Sequence, residues 1–170
     1  KCDIEIEKID KNGKYLWKQT ISSSYDDLIE KIDFDSEGNL ICFTRTRYSG
    51  DMDFLKNIPI ILKVDKNTGN IISKIEFNDL RNDYFGCYKG ADDSIYIMTI
   101  NEVKIGDKKE YYNLYFYKYD KNGKLIKHTV IAEKSKYKIH SQPLLYVDSV
   151  RNIYCTFEID GKYKNGKYNG

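Results

Sequence analysis

The chain has 170 residues, which is enough to bury the core of one domain, and 41% of them are hydrophobic. Its 28 Lys and Arg residues nearly balance its 26 Asp and Glu residues, so the net charge is only +2. This balance argues against a dedicated nucleic-acid or anionic-membrane surface, because such surfaces need a one-sided basic excess.

The first predicted elements are two strands, at residues 3–9 and 15–21, on either side of the turn "DKNG". The opening "KCDIEIEKID" lies inside this strand pattern and shows no signal peptide, which leaves open that a targeting segment has been removed. Cys2 invites a lipoprotein interpretation, although Lys1 stands where a lipobox has a small residue.

Two sets of four strands and a final pair follow along the chain. They are predicted at 28–35, 39–46, 58–65 and 71–77, then at 84–91, 94–101, 113–120 and 125–131, and last at 143–148 and 152–159. Turn clusters such as "DSEGN" and "DKNTG" separate the strands. In these clusters Asp accepts backbone N–H groups and Gly supplies a positive φ.

The turn motif recurs at a fixed spacing, since Asp10, Asp65 and Asp120 are each 55 residues apart. A second motif alternates with it, as "FDSEGNLICFT", "GADDSIYIMTI" and "VDSVRNIYCTF". One unit therefore has two hairpins, and four antiparallel strands repeated radially form the blade of a β-propeller. A β-sandwich is the alternative, but it gives no reason for a repeat of this length.

We therefore predict an all-β propeller fold of about three blade equivalents. The division is an outer half-blade at 1–21, blades at 22–77 and 78–131, and an inner half-blade at 132–170. Closed propellers have about four to eight blades. We expect the chain to be a fragment of a longer ring, or copies of it to close a ring, because soluble proteins avoid open edge strands.

A turn "D-x-N-G-x-x-x-W" after "K-x-D", preceded by "D-x-x-G-N-L", resembles the bacterial β-propeller repeat called SBBP. It is also similar to the quinoprotein-type tryptophan-docking repeat, and the similarity covers nearly all of the chain. Trp17 stands in the docking position, whereas Ser73 and Lys127 occupy it in the other two repeats. The resemblance implies the propeller fold, and with two docking tryptophans replaced we expect no quinone and no other cofactor.

Metal and thiol chemistry find little support in the sequence. The segment from Asp33 to Gly38 resembles the start of a calcium loop, but the twelfth position, which needs a bidentate Glu, is Thr44. The four cysteines have no zinc-ligand spacing and are too scattered for a disulfide scaffold, so we expect them to fill the core. No metal site is predicted.

Catalytic candidates are few. Of the two histidines, His128 lies in a predicted outer strand and His140 on a loop ahead of an inner strand, which makes His140 the better candidate. Adjacent carboxylates, such as Asp26 with Asp27 and Asp92 with Asp93, are expected to cap turns and loops rather than to act as a hydrolytic pair.

Loop length distinguishes the two ends of the predicted blades. All short turns fall on one side, and the long connections 22–27, 47–57, 78–83, 103–112, 132–142 and 160–170 fall on the other. Functional residues on rigid scaffolds tend to lie on such loops, and Tyr and Arg build recognition surfaces. We predict a binding face there, made by Tyr25, Arg47, Tyr48, Asp51, Asp53, Arg81, Asp83, Tyr111, Tyr112, Tyr137 and His140.

The function expected from these observations is non-catalytic recognition of a protein or a glycan through the long-loop face. The resemblance implies an extracytoplasmic or cell-surface location. The alternative is a lyase- or hydrolase-type enzyme with a pocket at the centre of the ring, using His140 and loop carboxylates.

Overall fold

The computed structural model describes residues 1–50, 54–80, 84–105, 109–135, 143–158, 162–164 and 167–169. Within these ranges the chain forms β-strands and turns and no helix, and no helix that could cross a membrane is found there. The paired strands are antiparallel. The chain divides into two compact units, Lys1–Arg81 and Asn82–Gly170. The predicted all-β class is confirmed.

The first unit contains a two-stranded hairpin and a four-stranded sheet in which each strand pairs with the next. The hairpin consists of β1 (Ile4–Ile9) and β2 (Tyr15–Ile21). The sheet consists of β3 (Asp26–Phe34), β4 (Leu40–Gly50), β5 (Phe54–Val64) and β6 (Ile71–Glu76). The six strands predicted for this part of the sequence are all present.

The second unit repeats the four-stranded arrangement and adds two hairpins. Its sheet consists of β7 (Tyr84–Lys89), β8 (Ile95–Ile105), β9 (Lys109–Tyr119) and β10 (Leu125–Ser135). The hairpins pair β11 (Leu144–Val147) with β12 (Ile153–Thr156), and β13 (Lys162–Lys164) with β14 (Lys167–Asn169). Only β13 and β14 were not expected.

Strands extend into four connections that the sequence predicts as long loops, at 47–57, 103–112, 132–142 and 160–170. The ladder between β4 and β5, for example, continues as far as the pair Gly50 and Phe54. The prediction of a loop there is wrong because it relied on polar side chains. An antiparallel ladder pairs backbone groups and continues whatever the polarity of an exposed hairpin.

Aspartate and glycine close the tight turns as predicted. In the first turn the carboxylate of Asp10 accepts the backbone N–H groups of Asn12 at 2.8 Å and Lys14 at 2.9 Å. Gly13 has a φ of 80°, a left-handed conformation in which a side chain is strained. The turn at Asp120 repeats these contacts. The recurring motif is therefore hairpin chemistry.

The lysine of the "K-x-D" motif has the same role in both sheets. The Lys63 Nζ atom lies 2.7 Å from Asp35 and 3.2 Å from Glu37, both in the turn between β3 and β4. The equivalent Lys118 lies 3.9 Å from Asp92, in the turn between β7 and β8. The lysine thus ties the third strand of a sheet to the turn between its first two strands.

The central strands of each sheet are buried on both faces. In β4, Leu40 and Cys42 project to the face that packs against the β1–β2 hairpin, and Phe43 on the other face is also buried, at 1% exposure. In β8 the successive residues Ile97 and Met98 are 1% and 0% exposed. A sheet with one face in water would alternate apolar and polar residues, and these sheets do not.

Trp17 joins the β1–β2 hairpin to the sheet of the first unit. Its indole Nε1–H donates to the Lys66 carbonyl at 3.2 Å, and Lys8 donates to the same carbonyl at 2.6 Å. The ring lies over Gly69 so closely that a Cβ atom there would be 2.7 Å from Trp17 Cε3. The "DKNTG" turn is therefore the surface on which the tryptophan of the preceding repeat rests.

Candidate binding site

A cleft opens in the second unit between the turn 90–94, which joins β7 to β8, and the turn 148–152, which joins β11 to β12. We call it the turn cleft. Its volume is about 370 Å³, which lies within the range of small-molecule sites. Strand β11 forms one wall because Val147 packs with Tyr96 and Phe116 of the sheet.

Three tyrosines line the turn cleft, namely Tyr88, Tyr96 and Tyr146. The Tyr88 hydroxyl donates to the Val147 carbonyl at 3.2 Å, and the Tyr88 ring meets the Tyr146 ring edge to face, with centroids 5.6 Å apart. Tyr96 is buried, whereas Tyr146 is 57% exposed. The cleft therefore contains one aromatic ring that is both held in place and open to a ligand.

Asp92 is on the wall formed by the first turn. It accepts the Ser94 backbone N–H at 3.2 Å and lies 3.9 Å from Lys118, whose Nζ atom is also 5.2 Å from the centre of the Tyr96 ring. Partial burial works to raise the pKa of Asp92, but the hydrogen bonds from Ser94 and the charge of Lys118 outweigh it and lower the pKa.

Asp148 begins the second turn and accepts four hydrogen bonds. The donors are the backbone N–H groups of Val150 at 3.0 Å and Asn152 at 2.7 Å, the Asn152 amide at 2.9 Å and the Tyr154 hydroxyl at 3.3 Å. Desolvation works to raise the pKa of Asp148, but these donors outweigh it, and the pKa is lowered. The turn is thus built around an ionised carboxylate.

Two residues in the cleft turns adopt a backbone conformation that the other turns assign to glycine. Asp93 has a φ of 58° and Arg151 a φ of 69°. The turns of this class elsewhere in the chain have glycine there, at Gly13, Gly38, Gly69 and Gly123. A side chain is strained in this region. In the described part of the chain, no hydrogen bond or ion pair holds the guanidinium of Arg151.

Neither carboxylate of the turn cleft has the raised pKa of a general acid. A general acid needs a carboxyl group whose pKa is raised toward neutral pH, and both Asp92 and Asp148 shift in the opposite direction. No group of His, Cys, Asp and Glu residues among those described is placed to hold a metal ion. The tyrosines and the arginine that line the cleft belong to the residue types that are enriched at binding surfaces.

Most residues of the predicted long-loop binding face lie outside the part of the chain whose side chains are described. They are Tyr48, Asp51, Asp53, Arg81, Asp83, Tyr111, Tyr137 and His140. The backbone places Tyr48 on β4 and Tyr111 on β9, so both belong to strands. Their role in binding stays a prediction.

The three described members of that set have different surroundings. Tyr25 lies in the connection between β2 and β3 and is 37% exposed. Arg47 lies on β4; the pKa of Asp26, opposite it, is lowered first by the Cys2 backbone N–H and also by Arg47. Tyr112 is only 3% exposed and packs in the core with Ile100 and Leu114. Its predicted place on a loop is wrong, because it shares a face of β9 with Leu114.

The carboxylates of Asp26 and Asp27 hold the start of β3 in place. Asp26 accepts the Cys2 backbone N–H at 2.8 Å. Asp27 is buried and accepts the backbone N–H and hydroxyl of Ser23, at 2.7 and 2.9 Å, and the Thr46 hydroxyl at 2.6 Å. These contacts agree with the prediction that this pair caps a loop.

His128 and the cysteines are the remaining residues for which the sequence predicts a position. His128 lies on the outer strand β10, with its ring stacked on Tyr117 at a centroid distance of 4.6 Å, which agrees with the predicted surface position. Cys42 is fully buried, and burial raises the pKa of its thiol to about 11, so it fills the core as predicted. The same prediction is wrong for Cys2, which is exposed near the start of the chain, and Cys87 and Cys155 are half-buried.

Tyr88, Tyr146 and Arg151 are absent from the predicted site, because the sequence of the tight turns indicates a purely structural role. One signal for them was present in the alignment of the repeats. Where "DSEG" has Gly38, the equivalent "DSVR" has Arg151, although the turn geometry favours glycine. A residue that departs from the conformational requirement of its own repeat is a candidate for another role.

Comparison of the sequence with models of protein families finds no match, and comparison with curated proteins finds none either. The interpretation of the turn cleft therefore depends on its geometry.

Proposed function

We propose that the chain consists of β-propeller blades and serves as a binding module that recognises a protein or a glycan without changing it chemically. Two observations support blades. The four-stranded meander recurs with the 55-residue spacing of Asp65 and Asp120. The central strands are also apolar on both faces, as sheets that stack radially require.

The contact between Trp17 and Gly69 supports the resemblance to tryptophan-docking repeats. The tryptophan of one repeat rests on the turn glycine of the next and donates to the Lys66 carbonyl of the same turn. A plain hairpin turn has no need for this contact. Its presence is more readily explained if successive repeats are stacked sheets.

The observation that carries the binding role is the exposed ring of Tyr146 in the turn cleft, which packs edge to face on Tyr88 beside two carboxylates. Asp92 and Asp148 accept hydrogen bonds from their own turns, and both have lowered pKa values. A carboxylate of this kind stays ionised through neutral pH and is a poor proton donor and a weak base. The open ring of Tyr146 beside them is suited to contact a ligand.

The binding role is tested with the purified chain and a panel of immobilised glycans and peptides. The expected result is saturable binding. Mass spectrometry of the eluted ligand should give the same mass as that of the ligand before binding. A cleaved or unsaturated product would contradict the proposal and favour the lyase or hydrolase alternative. In the same assay, loss of a measured turnover on His140→Ala would favour an enzyme.

A further inference from the structure

The turn cleft combines an open aromatic ring, ionised carboxylates and a guanidinium that has no partner among the described residues. Together these define a class of ligand. We propose that it binds a sugar ring that carries a carboxylate, as a uronic acid does. Tyr146 packs on the ring and Arg151 pairs with the carboxylate. This inference rests on the proposed function, because it names the ligand class of the binding module.

Tyr146 supplies the surface for the sugar ring. The face of an aromatic ring is negative, and the C–H groups on one face of a sugar ring are weakly positive, so the two pack together. Tyr88 meets Tyr146 edge to face at 5.6 Å and is itself anchored on the Val147 carbonyl at 3.2 Å. The receiving ring is therefore ordered before the ligand arrives, which lowers the entropic cost of binding.

Arg151 supplies the charge. Its guanidinium presents paired N–H donors that match the two oxygens of a carboxylate. Its guanidinium has no hydrogen-bond or ion-pair partner in the described ranges, although its backbone N–H donates to the Asp148 carbonyl at 3.0 Å. The φ of Arg151, 69°, is one that the turn satisfies better with glycine. The turn itself does not require an arginine, so the side chain is available to a ligand.

The carboxylates of the cleft select against other anions. Asp92 and Asp148 are both ionised, and Lys118, 3.9 Å from Asp92, offsets one of these charges. A phosphate with nearly two negative charges would be repelled more strongly than a single carboxylate. The lone pairs of Asp92 that the turn leaves free can accept hydrogen bonds from sugar hydroxyls. A hydroxylated ligand with one negative charge fits this distribution best.

The experiment measures binding by isothermal titration calorimetry. The probes are glucuronic and galacturonic acid, their uncharged parent sugars glucose and galactose, inorganic phosphate and tetraglutamate. We expect each uronic acid to bind at least 10-fold more tightly than its parent sugar, and phosphate and tetraglutamate to bind more weakly than either acid. Equal affinity for acid and parent, tighter binding of phosphate or tetraglutamate, or no binding of the acids would overturn the inference.

Two substitutions separate the contributions of the ring and the charge. Arg151→Gly is expected to remove the difference in affinity between a uronic acid and its parent sugar. Tyr146→Ala is expected to weaken the affinity for both ligands by at least 5-fold. Tyr15→Ala is the control, because Tyr15 is similarly exposed, at 52%, but lies on β2 of the first unit. Thermal unfolding shows whether each variant is folded. If Arg151→Gly does not fold, Arg151→Gln also removes the charge and gives the same comparison.

The outcomes also separate this inference from the proposed function. If the chain binds a glycan or peptide of the panel and Arg151→Gly and Tyr146→Ala leave that binding unchanged, the turn cleft is not the site, while the binding role stands. If nothing in the panel binds, both fail. If the acids bind and Arg151→Gly does not reduce the preference for them, the assignment of Arg151 is wrong.

Discussion

At the scale of single residues, Asp35 shows how the charged side chains of a turn stabilise its geometry. Its side chain is only 6% exposed, and it accepts the Asn39 backbone N–H at 2.7 Å and lies 2.7 Å from Lys63. Burial works to raise the pKa of Asp35, but Lys63 and Asn39 outweigh it and lower the pKa to about 2. The ion pair therefore stabilises the fold only while this carboxyl is ionised.

The pH dependence follows from that shift. Because the folded pKa is about 2 and the ordinary value is 3.8, the stabilisation is complete above about pH 4 and is lost as the pH falls through 2. Asp35→Asn keeps an acceptor for the turn but removes the charge. We expect this substitution to lower the free energy of unfolding by about 2 kcal/mol at pH 7, as measured by urea unfolding. The difference between the original chain and the variant should disappear near pH 2.

Asp120→Asn is the matched control for this measurement. Asp120 accepts the same kind of turn hydrogen bonds, from Asn122 and Lys124 at 2.9 Å, and no ion pair is found for it within the described residues. A smaller loss at pH 7 is expected for this variant. Equal losses in the two variants would show that the turn hydrogen bonds, and not Lys63, account for the stability.

At the scale of elements, the docking of β1–β2 on its sheet depends on one glycine. Gly69 and Gly13 have nearly the same backbone conformation, with φ values of 77° and 80°. They differ in their surroundings, since a Cβ atom at Gly69 would lie 2.7 Å from the Trp17 ring, whereas one at Gly13 would meet nothing within 4 Å. The two positions therefore separate backbone strain from loss of the docking contact.

We expect Gly13→Ala to destabilise the chain by about 1 kcal/mol, from strain in the left-handed region alone. Gly69→Ala adds the displacement of the Trp17 ring, and a loss of roughly 2 to 4 kcal/mol is expected. Trp17 is the one tryptophan in the sequence, so its fluorescence reports the contact directly. Only Gly69→Ala should shift the emission of the folded state; a similar shift with Gly13→Ala would contradict the docking role of Gly69.

The elements themselves were largely predictable from the sequence. Turn residues such as Asp10 and Gly13 have local conformational requirements, and β-branched and aromatic runs between them form strands wherever they are buried. The spacing of the repeats predicted two four-stranded sets, and both form sheets. The ends of the long strands were not predictable, because backbone pairing between Gly50 and Phe54 leaves no signal in side-chain polarity.

The site was less predictable than the elements. The turn cleft exists because β11 packs on the sheet beside the turn at Asp92, and this juxtaposition brings together residues that lie more than 50 positions apart. Tyr146 alternates with the buried Leu145 and Val147, so the sequence showed which side of β11 it occupies but not what lies beside it. The local signals were Asp93 and Arg151, because both stand where the other turns have glycine.

At the scale of the whole molecule, two hairpins have the features of half-sheets. In the described residues, β1 and β12 each pair with one strand only, whereas the inner strands of the four-stranded sheets pair with two. The β11–β12 hairpin also exposes apolar side chains, with Leu144 73% and Ile153 42% exposed. Unpaired edges of this kind favour the addition of another strand. A complete blade would pair an outer half with an inner half.

Because the edge of β12 is open, we expect the 20.0 kDa chain to self-associate in solution through that edge. We expect light scattering at micromolar concentration to give a mass above the monomer, and Ile153→Lys to shift the mass toward the monomer by placing a charge on that edge. Ile72→Lys is the matched control, because Ile72 is 51% exposed on β6, the outer strand of a complete sheet. A cooperatively folded monomer at all concentrations, or equal effects of the two lysines, would show that the edge of β12 does not recruit another strand.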